Sequence, residues 1–116
     1  MERTANQLAT EAANAAADKK AKDIKILDIS GLTPIADCFV ICSANSSTQV
    51  DAVARAVEEK LASFGVSCKA REGLTEARWV LLDFGDLVVH VFRPEEREFY
   101  NLERLWGDAV EVPFEA

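Results

Sequence analysis

The chain has one histidine (His90), one tyrosine (Tyr100), three cysteines, and five glycines, each standing alone. A Ser-His-Asp or Cys-His arrangement would have to run through His90, yet no Gly-x-Ser-x-Gly elbow or comparable nucleophile context accompanies it. Scattered glycines build no phosphate-cradling loop, and no lysine follows a glycine cluster. An odd number of cysteines points to a reducing compartment rather than a disulfide scaffold. No apolar run reaches the about 18–20 residues needed to span a bilayer, and the polar start (Glu2, Arg3, Thr4, Asn6) is no signal peptide. The expectation is a soluble intracellular protein with no membrane association.

Basic residues are also in short supply. Against twenty Asp and Glu stand thirteen Lys and Arg, a net charge of −7. A protein that held nucleic acid by its backbone would have to neutralise phosphates, so little direct nucleic-acid binding is expected. The imbalance is lopsided: residues 1–74 carry net −1 and residues 75–116 net −6. An acidic C-terminal third suits a basic protein partner, because complementary fields speed encounter; it also serves solubility.

What is present is ordinary globular material. With 49% hydrophobic and 28% charged residues, the 116-residue chain has the composition and length of one domain, 1–116, with one core. Alanine-rich residues 6–21 predict a helix. Asp23 to Ile29 reads as a strand, and Cys38-Phe39-Val40-Ile41-Cys42 as a strand covered on both faces. Ser46-Ser47-Thr48-Gln49 has capping-box form, and Val50, Val53, Val57, Leu61 and Phe64 behind it share a helical stripe that Gly65 ends. Cys68 to Glu72 predicts a polar strand near a sheet edge. Trp79 to Phe84 and Leu87 to Phe92 read as a hairpin turned by Gly85-Asp86, with glycine first as a type II′ turn prefers. Pro94 opens a last helix whose apolar stripe is Phe99, Leu102, Leu105 and Trp106. The expected architecture is α/β (α+β mixed): a five-stranded mixed sheet with flanking helices in the order α-β-β-α-β-β-β-α.

Chemistry finds little to use. Cys38 and Cys42, four apart on a strand, are separated by about 13 Å at about 3.3 Å per residue, too far to share a metal. They read as small core hydrophobes, and no metal site or cofactor is expected. Asp83 and Asp86 flank a turn rather than forming an Asp-x-Asp pair for Mg²⁺. Ser43 to Ser47, between a buried strand and a helix start, has the form of an ordinary connection, with anion binding on free N–H groups as the rival reading.

The hairpin says more. With Gly85-Asp86 as its loop, Phe84, Leu82 and Val80 face Leu87, Val89 and Val91 on a wholly apolar side suited to the core. The other side carries Trp79, Leu81 and Asp83 opposite Phe92, His90 and Val88. Two readings stand: a binding surface with aromatic anchors and polar groups, or a face covered by a helix in which Asp83 finds a partner.

These residues resemble the Iojap family, the bacterial ribosomal silencing factors. The likeness is carried by Ile35 to Cys42, Asn45-Ser46, Gln49-Val50, Arg71-Glu72-Gly73, Arg78 to Asp86, Val88 to Phe92, Pro94 to Arg97, Phe99-Tyr100 and Leu102 to Asp108, from about residue 6 to residue 110. Ala44 stands where many members have glycine, and Phe84 where tyrosine is common. The resemblance implies a nucleotidyltransferase-like core without catalytic carboxylates. It also implies a non-enzymatic translation repressor that binds the large ribosomal subunit through its basic protein fourteen, blocks docking of the small subunit under nutrient limitation, and forms homodimers when free. Joined to the hairpin reading, it makes Trp79 and Leu81 apolar anchors beside His90 and Phe92. Asp83 and Asp86 would meet basic side chains, and Glu98 and Tyr100 would extend the patch. A bacterial cytoplasmic location is expected, since the chain starts without an Arg- and Ser-rich leader. The rivals are a nucleotide-handling enzyme using Ser43 to Ser47 and an adaptor for an unrelated basic protein.

Overall fold

A computed structural model describes residues 3–115; Met1, Glu2 and Ala116 lie outside the described residues. Helix α1 is Ala5–Asp18, followed by strands β1 (Lys22–Asp28) and β2 (Cys38–Ser43) and helix α2 (Ser47–Ala62). Strands β3 (Ala70–Glu72), β4 (Trp79–Asp83) and β5 (Leu87–Phe92) come next. Short helices α3 (Pro94–Tyr100) and α4 (Leu102–Leu105) lead to a last strand, β6 (Val110–Val112). The strands form one mixed sheet in the order β3-β4-β5-β2-β1-β6, in which only β2 and β5 run parallel.

Among the described residues the sheet therefore has six strands, not the five expected. The extra one, β6, adds antiparallel to β1 with Ile26 opposite Val112 and Asp28 opposite Val110. Three residues carry too little periodicity to announce a strand; β6 exists because β1 offers it an edge. The last helix is also corrected. Asn101 takes a left-handed conformation (φ 46°, ψ 59°), ends α3, and caps α4 with its side-chain oxygen. The break divides the expected stripe: Leu102 and Trp106 turn inward, while Phe99 and Leu105 are 81% and 72% exposed.

One face of the sheet is sealed by α1 and α2. Ala9, Ala12, Ala13 and Ala16 pack in the same core as Val50, Val53, Val57 and Leu61, over Val80, Leu82, Val89 and Val91. Methyl-sized residues let α1 approach closely. Its start is fixed by a full capping box, Thr4 with Gln7. At α2 the box is only half formed: Ser46 Oγ accepts the Gln49 N–H, but Gln49 Oε1 takes the N–H of Asn45 rather than of Ser46. Gln49 Nε2 donates to the carbonyls of Lys19 and Lys20, tying the start of α2 to the end of α1. Gly65 takes the expected positive φ, +79°.

Candidate partner-binding surface

The opposite face is where the candidate residues gather. Along β4 exposure alternates: Val80 and Leu82 are buried, whereas Trp79, Leu81 and Asp83 are half-buried. The hairpin has the expected register, Trp79 opposite Phe92, Leu81 opposite His90, and Asp83 opposite Val88. Phe84 N–H donates to Leu87 O across the turn, and Gly85 takes the positive φ (+95°) its place there demands.

This face is neither open nor sealed. Leu102, Trp106 and Ala109 from the α3–α4 region lie over Phe39, Ile41, Val88 and Phe92. The Trp106 ring meets Phe39 edge-on at 5.5 Å. These short helices cover the middle of the sheet and leave the β4 side partly bare. His90 (3% exposed) and Phe92 (fully buried) consequently lie beneath the surface, not on it; they are its floor and make no direct contact with anything outside. Burial pushes the imidazole down to about 4, so it is neutral near neutral pH.

On that floor rests Trp79. Its ring stacks on Phe92 at 4.9 Å and its indole N–H donates to His90 Nδ1 at 3.1 Å. Tyr100, half-exposed, lies against Trp79 at 4.7 Å and meets Phe99 edge-on at 5.1 Å. Trp79, Tyr100, Phe99 and Leu105 thus supply exposed apolar area along the hairpin and α3–α4. Glu98 lines the same hollow as Phe99, Tyr100, Asn101, Arg104 and Leu105.

Asp83 and Asp86 stand apart from the aromatics. At about 3.3 Å per residue, Asp83 is about 13 Å along β4 from Trp79. Its Oδ1 accepts the Gly85 N–H at 2.8 Å, which orders the turn. Asp86 has an exposed side chain at the hairpin tip, and its carbonyl accepts the N–H groups of Asp37 and Cys38. The expected patch is therefore a strip, aromatic at one end and acidic at the other.

Sequence reasoning missed a cleft beside Trp79 lined by Gly73, Thr75, Glu76, Arg78, Glu96 and Tyr100. Arg78 bridges to Glu96 at 3.4 Å. Gly73 (φ +85°) passes so close to β4 that a Cβ there would collide with the Trp79 carbonyl. The resemblance already contained Gly73, Arg78 and Glu96, but nothing in their spacing joined them. Phe99 and Leu105 were missed because a continuous helix would have buried them.

The Ser43 to Ser47 connection spends its polar groups internally. Ala44 N–H donates to Phe92 O, Asn45 N–H to Gln49 Oε1, and Arg97 to Ser43 Oγ at 2.8 Å. Arg97 is also paired with Glu103 at 2.8 Å. Cys38 and Cys42 are buried, their thiols pushed up to about 12 chiefly by desolvation, so they stay protonated and unreactive. Among the described residues, no three His, Cys, Asp or Glu side chains converge as a metal cluster. No helix there is long and apolar enough to cross a membrane.

Comparison with known proteins agrees along the whole chain. Residues 2–116 match the family model described as ribosomal silencing factor during starvation. The ribosomal silencing factor RsfS of Bacillus subtilis is 53% identical over 98 residues, covering 84% of this chain and 83% of its own. The chloroplastic protein Iojap of Arabidopsis thaliana is 41% identical over 92% of this chain and 45% of its own. Among solved structures, a Chromobacterium violaceum protein superposes with a TM-score of 0.88 at 37% identity, covering 98% of this chain and 94% of its own. A Bacillus halodurans protein gives 0.82 at 42% identity, covering 94% and 99%. The chain, with its mixed six-stranded sheet and its half-covered aromatic hairpin, belongs to the ribosomal silencing factor (RsfS/Iojap) family.

Proposed function

We propose that this protein represses translation as a steric plug on the large ribosomal subunit, acting by occupancy and without turnover. The carrying observation is the partly bare Trp79–Tyr100–Phe99 surface, backed by a rigid aromatic floor and set in a chain of net charge −7. Interfaces centre on such anchors, and the acidic field selects a basic partner. We take that partner to be protein fourteen of the large subunit, with Trp79 and Leu81 as apolar contacts, Tyr100 and Glu98 extending them, and Asp83 and Asp86 meeting Lys or Arg at the far end of the strip. A plug there stands where the small subunit must approach. The bacterial cytoplasm is the compartment this reading requires. Phe99 and Leu105 give a free copy an apolar surface to pair through, so a homodimer would compete with the ribosome for the same residues.

Sucrose-gradient sedimentation with purified subunits tests the reading. The protein should co-migrate with the large subunit and reduce subunit joining, and Trp79→Ala should strongly reduce both. Retention at the top of the gradient, or co-migration with the small subunit, would sink it.

A further inference from the structure

The single histidine lies one layer beneath this surface, and among the described residues it joins no metal cluster. Its neighbours are rings: Phe39 edge-on at 4.8 Å and Phe92 near-parallel at 6.1 Å. The Trp79 indole N–H reaches its Nδ1. Indole nitrogen only donates, so Nδ1 bears the lone pair and the imidazole proton sits on Nε2. Nε2 has no hydrogen-bond partner among the described residues, so the one hydrogen bond the ring makes is the one that holds Trp79.

Trp79 is half-buried, so water competes for its N–H. Without an acceptor below, only water can take that N–H, which favours an outward ring over the stack on Phe92 and the contact with Tyr100. An acceptor below lets the ring lie flat with nothing unsatisfied.

We propose that His90 is a positioning residue of the partner surface: its Nδ1 pins the Trp79 indole flat on Phe92, so the anchor is already ordered before the partner arrives. The inference rests on the proposed docking surface and deepens it. Ordering a free aromatic side chain on binding weakens affinity by about tenfold, and that is the loss His90 prevents.

The test reads the Trp79 indole N–H by NMR in the full chain, with Trp106→Phe assigning the second indole, and affinity for purified large subunits alongside. His90→Leu removes the acceptor; His90→Asn places an oxygen where Nδ1 was. The expected result is a shifted, fast-exchanging indole proton and about tenfold weaker binding in His90→Leu, with both restored to within about threefold in His90→Asn. An unchanged indole signal in His90→Leu, or a released ring with undiminished affinity, overturns the inference. Trp79→Ala serves as comparator. If it too binds as the wild type, the docking surface itself is misplaced, whereas loss in Trp79→Ala alone condemns only the role of His90. Should His90→Leu fail to fold, the wild-type chain decides: protection of the Trp79 indole proton from solvent exchange supports the pin, and exchange as fast as free indole removes it.

Discussion

The two faces of the sheet are built from one hairpin yet finished differently. On the first, Val80, Leu82, Val89 and Val91 meet two helices of 14 and 16 residues. On the second, Trp79, Leu81, His90 and Phe92 meet helices of seven and four residues, neither of which buries a residue completely. Long helices seal a face and make it structural. Short ones broken at Asn101 cover the middle, leave the rim, and expose Phe99 and Leu105. The surface proposed to dock a partner arises where the roof is too small for the sheet.

Substitutions one residue apart put that contrast to its hardest test. Leu82→Ala, on the sealed face, should destabilise the fold by about 2–5 kcal/mol through lost burial and a residual cavity. Leu81→Ala, on the half-covered face, should cost about 1.5 kcal/mol or less. Urea unfolding measures both, and equal losses would erase the distinction between the faces. Next in size, Trp79→Ala should weaken binding to the large subunit by about 2–4 kcal/mol, roughly 30- to 1,000-fold, while circular dichroism reports an intact fold.

Acid probes the floor of the second face. The unfolded chain protonates its histidine near the ordinary imidazole value of about 6.5, whereas the buried imidazole resists until about 4. Stability therefore falls as pH drops between those values, by up to about 1.4 kcal/mol per unit, and this contribution levels off below the lower one. Thermal melts across that window should show the decline in the wild type and a flatter profile in His90→Asn. Indistinguishable profiles would mean the imidazole is not held neutral. The smallest effect on folding is expected at the rim. Phe99→Ser should change stability by less than about 0.5 kcal/mol, while weakening self-association seen by analytical ultracentrifugation and docking on the subunit.

Much of this was readable in the chain itself. Gly85-Asp86 fixed the hairpin, and with it every cross-strand pair from Trp79–Phe92 to Asp83–Val88, because a tight turn leaves a period-two strand one register. The edge position of β3 followed from its polarity, and it pairs only with β4. Less legible was the end of the chain. Nothing local marks Asn101 as left-handed inside an apolar stripe, and Val110–Val112 becomes a strand only beside β1. Trp79 and Tyr100 meet on one face, but His90 and Phe92 could not be assigned to the layer below until α3 and α4 had been placed.

Periodicity, turn chemistry and charge are local properties, and from them alone came the fold class, the hairpin register and the acidic character of the last third; the family came from the residue-by-residue resemblance. Which aromatic rings are covered depends on how far α3 and α4 reach across the sheet. Burial is a relation between distant segments, so only the folded arrangement decided that Trp79 lies half-bare on a closed floor of His90 and Phe92.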